Sequence, residues 1–205
     1  MVTPQPFTIA SPILASYSFI EILENSGYAD FYPMTYKTLT TEPKTMSTAI
    51  RKTSSDSTVL KSGGTADFDT GTLPQTRIAE GRVYVEYTMA LNRVYAGTAS
   101  GHWVFNLYMV SPDATETLLG TGIGEGLTTD AAGAWSAHTA SVIAFDISKV
   151  SVRAGYFLRL TLDAVTREAG SFDDIRIWHD PTNTAVPVAG LSSQLKLSVP
   201  FNKSN

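Results

Sequence analysis

Three histidines are the side chains best suited to bind a transition metal or to act as a general base: His102, His138 and His179. Each falls in a different predicted strand, and the alternation of the neighbouring residues places His102 and His138 on outward faces. A metal site requires ligands that converge on one point. The positions of the histidines therefore do not indicate a shared metal site.

Three aspartates that lie close together in the chain, Asp173, Asp174 and Asp180, have the chemistry of calcium ligands. Neighbouring residues of a strand point to opposite faces, so Asp173 and Asp174 bind one ion only if a β-bulge intervenes. The alternative is structural, with Asp174 paired to Arg159 or Arg176 on a solvated face. Calcium is thus a candidate cation, and no other cofactor is predicted.

No catalytic motif accompanies these residues. The sequence has no G-x-S-x-G turn for a nucleophilic serine. Two convergent carboxylates would be needed for glycoside hydrolysis, but no spacing singles out a pair among Glu86, Glu116, Glu125 and Asp163. The glycine-rich stretch 120–126 lacks the Gly-Lys-Ser/Thr ending of a phosphate-binding loop and is predicted to be a mobile loop. We predict that the protein is not an enzyme.

Trp178 and Arg176 are the strongest candidates for a binding surface. They share the face of a predicted strand opposite Ile175 and Ile177. A partly exposed tryptophan beside an arginine can stack on a sugar ring or anchor a protein contact. Phe157 is predicted to face outward as well, which favours a protein contact over a sugar.

These candidates must be positioned by strands, because apolar and polar residues alternate with a period of two along most of the chain. The clearest strands are predicted at 83–91, 102–109, 135–145, 156–164 and 174–178. Trp103 and Trp135 fall on their apolar faces and are predicted to lie in the core. No helix has both the pattern and the caps. The fold class predicted is all-β, an antiparallel two-sheet jelly-roll sandwich with extended N- and C-terminal arms.

The composition limits the kinds of partner. Of 205 residues, 43% are hydrophobic and 17% are charged, the formal net charge is −4, and there is no cysteine. These values predict no nucleic-acid binding and exclude disulfides. The N-terminal segment has no basic residue before its apolar part, and no run of about 20 apolar residues exists. We therefore predict no membrane association and synthesis in a host cytoplasm.

Three regions are predicted along the chain: an extended arm at 1–12, the jelly-roll domain at 13–181, and a linker with a C-terminal strand at 182–205. The closing strand alternates apolar and polar residues. An apolar strand that follows a linker must be paired to avoid aggregation, and it can add to the sheet of a neighbour. Its apolar residues are predicted as further protein-contact or glycan candidates: Leu195, Leu197, Val199 and Phe201.

Three stretches carry a family resemblance: ILASYSFIEILENSGYADFYPM at 13–34, HDPTNT at 179–184 and QLKLSVPFNK at 194–203. Together they resemble virion-associated jelly-roll structural proteins of tailed phages and related viruses. Glu21 and Asn25-Ser26 depart from the pattern of that group. The resemblance implies a capsid-decorating, fibre or tail role in the virion, with no catalytic residues to carry over.

A second resemblance gives the alternative function. The stretch GSFDDIRI at 170–177 is similar to the closing strand of galactose-binding-like carbohydrate-binding jelly-roll modules. It implies a module that attaches a particle or enzyme to a glycan. The function predicted first is a virion structural protein that forms a symmetric homo-oligomer, such as a trimer, and contacts other virion proteins.

Overall fold

The computed structural model describes residues 13–18, 35–37, 43–45, 57–93, 98–130, 133–166, 174–179, 191 and 195–202. In these residues the fold is all-β, with no helix and two antiparallel sheets that pack face to face. The predicted fold class, an antiparallel sandwich of the jelly-roll type, is confirmed. The predicted N-terminal arm at 1–12 and the linker at 182–190 lie outside the described residues.

Thirteen strands are described. They are β1 (Ile13–Ser18), β2 (Thr35–Lys37), β3 (Pro43–Thr45), β4 (Ser57–Lys61), β5 (Thr65–Asp69), β6 (Arg77–Asn92), β7 (Ala99–Val110), β8 (Glu116–Ile123), β9 (Leu127–Thr129), β10 (Thr139–Val152), β11 (Phe157–Thr166), β12 (Asp174–Trp178) and β13 (Lys196–Asn202). The strand predicted at 135–145 thus begins later and runs further.

The 16-residue strand β6 organises the six-stranded sheet, whose order is β1-β13-β6-β12-β4 with β10 also paired to β6. The seven-stranded sheet has the order β3-β2-β5-β11-β7-β8, with β9 also paired to β7. β11 and β12 therefore lie in opposite sheets. Phe157 and Trp178 cannot meet across one outer face, an approach that would have required these two strands to pair.

The core lies between the sheets and follows the predicted alternation. In β6, Val83, Val85, Tyr87, Met89 and Leu91 are all buried, and the inward residues of β7, β11 and β12 are buried with them: Trp103, Phe105, Leu107, Leu158, Leu160, Leu162, Ala164, Ile175 and Ile177. Full burial of a large apolar side chain contributes roughly 1.5–3 kcal/mol. A shift of one residue would turn such a set to solvent, so the pattern fixes the register.

The closing strand β13 is a strand, as predicted, but it lies inside its own sheet, between β1 and β6. Leu195, Leu197, Val199 and Phe201 are buried in the core of the same chain. The expectation that this segment is an arm presenting these four residues to a neighbour is therefore wrong. An apolar strand satisfies its backbone and its apolar face equally well by joining its own sheet.

β12 and β13 occupy the same side of β6 and run in the same direction. Ile177 is paired with Met89 and Lys196 with Glu86, so only two residues of β6 separate the two pairings. From Ile177 to Lys196 the chain advances 19 residues, while the paired position on the antiparallel strand β6 moves back three, an excess of 16. Because this excess is even, the alternation of inward and outward side chains relative to β6 has the same phase in β13 as in β12.

The glycine-rich stretch 120–126, predicted to be a loop, is divided: residues 120–123 form the second half of strand β8, and residues 124–126 lie outside any strand. Gly120, Gly122 and Gly124 alternate with outward residues, and all three face the opposite sheet. A Cβ atom on Gly122 would lie 2.6 Å from the side chains of Ile143 and Phe145 in β10. The absence of side chains therefore allows β8 to approach β10 closely along one side of the sandwich.

Candidate functional site

Two tryptophans enclose an arginine on the outer face of the six-stranded sheet. The guanidinium carbon of Arg176 lies 4.0 Å from the ring centre of Trp135 and 5.6 Å from that of Trp178. The ring of His138 meets Trp178 edge to face at 4.5 Å between centroids. We call these four residues the Trp–Arg cluster.

A one-residue irregularity in strand pairing builds this cluster. Trp135 bridges to Asn92, whereas β10 begins with Thr139 opposite Met89. The two pairings differ by one residue, so the segment before β10 is bulged and Trp135 shares the outward face of Asn92. The prediction that Trp135 lies in the core is therefore wrong: it is half-buried on the outer face.

Trp178 shares the outward face of Arg176, as predicted, but it is not a partly exposed platform. Only 4% of its surface is accessible. His138 and Arg176 cover it, so it offers no open face for a sugar ring or for a partner. Phe157, the other aromatic candidate, is half-buried on the opposite sheet beside Arg159, whose guanidinium lies 5.6 Å from its ring centre.

Arg176 is not bound to a carboxylate in the part of the chain that the structure describes. Among the described residues it makes no hydrogen bond or ion pair, and its Nε is buried without a partner. Burial lowers the pKa of the guanidinium, and the nearby charge of Asp174 opposes that shift. The cluster thus holds a partly desolvated positive charge against two aromatic faces, an arrangement stabilised by cation–π attraction.

A second charged group lies on the outer face of the seven-stranded sheet. Arg159 binds Asp69 through two hydrogen bonds, Nε to Oδ1 at 2.6 Å and Nη2 to Oδ2 at 2.7 Å. Its Nη1 reaches Glu116. The hydrogen bonds from Arg159 to Asp69 raise the pKa of the arginine further. Arg159 therefore pairs with these two carboxylates. It does not pair with Asp174, which was one of the two pairings that the structural alternative proposed.

Polar side chains continue from that group along the same outer face, across β8, β7, β11 and β5. Thr121 donates to Asn106 at 2.7 Å, Asn106 donates to Asp163 at 2.8 Å, and Thr161 donates to Asp67 at 2.7 Å. These contacts join neighbouring strands along the outward face. The arrangement satisfies each carboxylate with a donor, which is the chemistry of a structural network.

The expected pH dependence follows from Asp163. Burial and the charge of Asp67 raise the pKa of Asp163, so the folded chain holds this proton more tightly than the unfolded chain. Protonated Asp163 stabilises the folded chain fully at pH values below its ordinary pKa of 3.8. This stabilisation is lost as the pH rises through the raised pKa that Asp163 has in the folded chain. We expect Asp163→Asn, which still accepts from Asn106, to stabilise the protein increasingly across that rise. Urea unfolding at a series of pH values measures this.

Asp113 provides a control of opposite sign. Hydrogen bonds from Ser111 and Thr115 lower the pKa of Asp113, so its contribution is present at neutral pH and is lost on acidification. Asp113→Asn should therefore destabilise the protein near neutral pH and have less effect in acid. Two variants that change stability in the same direction at every pH would contradict this assignment.

Among the described residues, no three histidine or acidic side chains lie close enough together to hold a metal ion. Asp173 and Asp180 of the calcium candidate lie outside those residues. His179 is buried against Phe68, with ring centroids 5.2 Å apart, and His138 belongs to the Trp–Arg cluster. The three histidines are therefore not brought together.

Large apolar side chains are exposed along the side of the sandwich where β8 and β10 meet. Ile123 is 68% exposed and Leu118 is 52% exposed on β8, and Val142 is 62% exposed on β10. We call these three residues the apolar margin. Ile123 was missed because the glycine-rich stretch 120–126 was interpreted as a loop, although residues 117–120 were predicted to form a short strand. The signal was present, since bulky residues alternate with the glycines there.

Comparison with known proteins adds only distant likenesses of fold. No family model and no curated protein matches the sequence. An aminopeptidase from the marine sediment archaeon Thaumarchaeota archaeon is similar with 8% identity and a TM-score of 0.46 over 68% of this chain and 26% of that one. A CocE/NonD family hydrolase from Staphylococcus aureus is similar with 9% identity and a TM-score of 0.46 over 86% of this chain and 37% of that one.

A D431N mutant of the VP2 protein of infectious bursal disease virus is similar with 12% identity and a TM-score of 0.30 over 98% of this chain and 40% of that one. The chain spans less than half the length of each of these proteins. In the part of the chain that the structure describes, no helix combines the length and hydropathy needed to cross a membrane.

Proposed function

We propose that this chain is a non-enzymatic virion structural protein, a capsid-decorating, fibre or tail component, that acts through protein–protein assembly. The virion assignment comes from the sequence resemblance at both ends of the chain. The assembly assignment is supported by one observation above all, the apolar margin. Leu118 and Ile123 are exposed on the outer face of the seven-stranded sheet and Val142 on that of the six-stranded sheet, at the edges where β8 and β10 meet, and exposed apolar residues of this kind are typical of an interaction surface.

The edge strand β8 adds a second reason to place the contact there. A strand at the edge of a sheet presents unpaired backbone donors and acceptors, and proteins protect such edges with charges, prolines or short length. β4 has Lys61, and β10 has Asp146 and Lys149, whereas β8 has eight residues and no charge after Glu116. Beyond Glu116, the sequence of β8 therefore provides no charge or proline to protect its edge.

The partner proposed is a second copy of the chain, in a symmetric homo-oligomer such as a trimer, together with other virion proteins. The contact surface in this proposal is the apolar margin. It replaces the surface first expected around Trp178 and the closing strand, because those side chains are buried within one chain.

We expect lysine at the margin to abolish assembly. In the double variant Ile123→Lys and Val142→Lys, a charge would have to be desolvated at each site to form the contact, and the lysine on β8 would protect its edge. Light scattering should give a multiple of 22.1 kDa for the wild type and 22.1 kDa for the variant.

Ile78→Lys serves as the matched control. Ile78 is 36% exposed on the outer face of the six-stranded sheet but belongs to the central strand β6, away from β8. This variant should assemble like the wild type. A wild type that remains monomeric both alone and with purified particles, or a double variant that assembles normally, would overturn the proposal.

A further inference from the structure

The Trp–Arg cluster has a feature that the structural networks lack. Arg159 is surrounded by two carboxylates, whereas Arg176 has none bound among the described residues. A partly desolvated guanidinium without a counter-ion is costly, since burial removes hydration that no partner replaces. Two indole rings recover only part of that loss. The site is therefore prepared for an anion.

The accessible part of Arg176 defines the shape of that anion. Of its three nitrogens, Nε is the one that is both buried and unpaired, and the two η nitrogens reach solvent. Two coplanar donors of this kind suit the two oxygens of a carboxylate.

The rim of the cluster indicates what carries the carboxylate. Trp135, which stacks on the guanidinium of Arg176, and His138, which contacts Trp178, are both half-buried, so part of each ring remains accessible to a ligand. The C–H face of a sugar ring packs well on the exposed part of an aromatic side chain, and the ring hydroxyls can bond to a histidine. We propose that the Trp–Arg cluster binds the carboxylate of an acidic saccharide, a uronic or sialic acid.

Titration followed by the indole N–H signals in NMR tests this site on the intact chain. Sodium glucuronate and N-acetylneuraminate should each shift the signals of Trp135 and Trp178 in a saturable way. Glucose, which lacks the charge, should bind at least about tenfold more weakly, as expected for the loss of a charge-assisted contact. Acetate keeps the charge but lacks the ring, and it should also bind more weakly because it cannot pack on the aromatic side chain. Titration with a peptide rich in Asp and Glu tests whether the true ligand is a carboxylate on a protein.

Arg176→Gln should weaken binding of the acidic sugars at least about tenfold. The matched control is Arg82→Gln, because Arg82 is an exposed arginine on the same outer face, opposite Asp146 in β10, and binding should be unchanged. If Arg176→Gln does not fold, Arg176→Lys keeps the charge but loses the planar pair of donors and should still weaken binding. No saturable shift with either acidic sugar, tighter binding of the acidic peptide, or binding that survives both changes of Arg176 would overturn the proposal.

Discussion

Replacing Asp69 by alanine should lower the free energy of unfolding by about 3–5 kcal/mol, the usual effect of removing one partner of a buried ion pair. Asp69 accepts two hydrogen bonds from Arg159, and the arginine is only 6% exposed. Without Asp69 the guanidinium would stay buried with half of its donors unsatisfied. Urea unfolding monitored by tryptophan fluorescence measures the change.

The other carboxylate on the same arginine provides the control. Glu116 contacts Nη1 of Arg159, but its side chain is 41% exposed. Water screens this pair and replaces it readily, so Glu116→Gln should cost less than about 1 kcal/mol. Equal losses for the two variants would mean that the buried pair is not what stabilises this face of the sheet.

Placing a side chain on Gly122 should be nearly as damaging. In Gly122→Val the new Cβ atom would lie 2.6 Å from both Ile143 and Phe145, which are buried on β10. Neither side chain can move without disturbing the core, so β8 must separate from β10. Overpacking of this kind costs about 1–3 kcal/mol for small additions, and we expect the upper end, about 3 kcal/mol, for valine.

Gly126 is the matched position in the same glycine-rich stretch. A Cβ atom there would meet its nearest neighbour, the backbone oxygen of Gly101, at 3.9 Å, which is ordinary van der Waals contact. Gly126→Ala should therefore leave thermal stability nearly unchanged while Gly122→Val lowers it. A stable Gly122→Val protein would show that β8 does not rest against β10 as described.

Alternation in the sequence was sufficient to predict the fold class and the inward residues of the long strands. β6, β7 and β11 each present an apolar face whose period of two is uninterrupted over several residues, so burial has one solution. The same local pattern predicted β12 with Ile175 and Ile177 inward, and it also predicted the closing strand. These predictions depend only on neighbours along the chain.

The sequence pattern gave wrong predictions where contacts between residues far apart in the chain determine the local structure. Glycines have low strand propensity, and what makes β8 a strand is the close approach of β10. One extra residue before β10 turned Trp135 from the expected core position to the outer face. Such a bulge leaves no clear trace in a pattern of alternation.

The candidate sites were predictable only in part. Trp178 and Arg176 were correctly placed on one face, but the residues that enclose them, Trp135 and His138, come from a segment some 40 positions earlier in the sequence. Similarly, the partner of Arg159 is Asp69, which is 90 residues away. For the closing strand, the pattern is the same whether the strand completes its own sheet or that of a neighbour.

β12 and β13 pair with the same side of β6, and this arrangement has an evolutionary consequence. Both strands pair with one side of β6, so the pairing described for them does not fix the number of residues between Trp178 and Lys196. Doubling such a segment costs only about 0.6 kcal/mol in closure entropy. One residue inserted within β6 would instead disturb pairing with β10, β12 and β13 at once. Related sequences can therefore vary in length between β12 and β13, whereas the length of β6 is constrained.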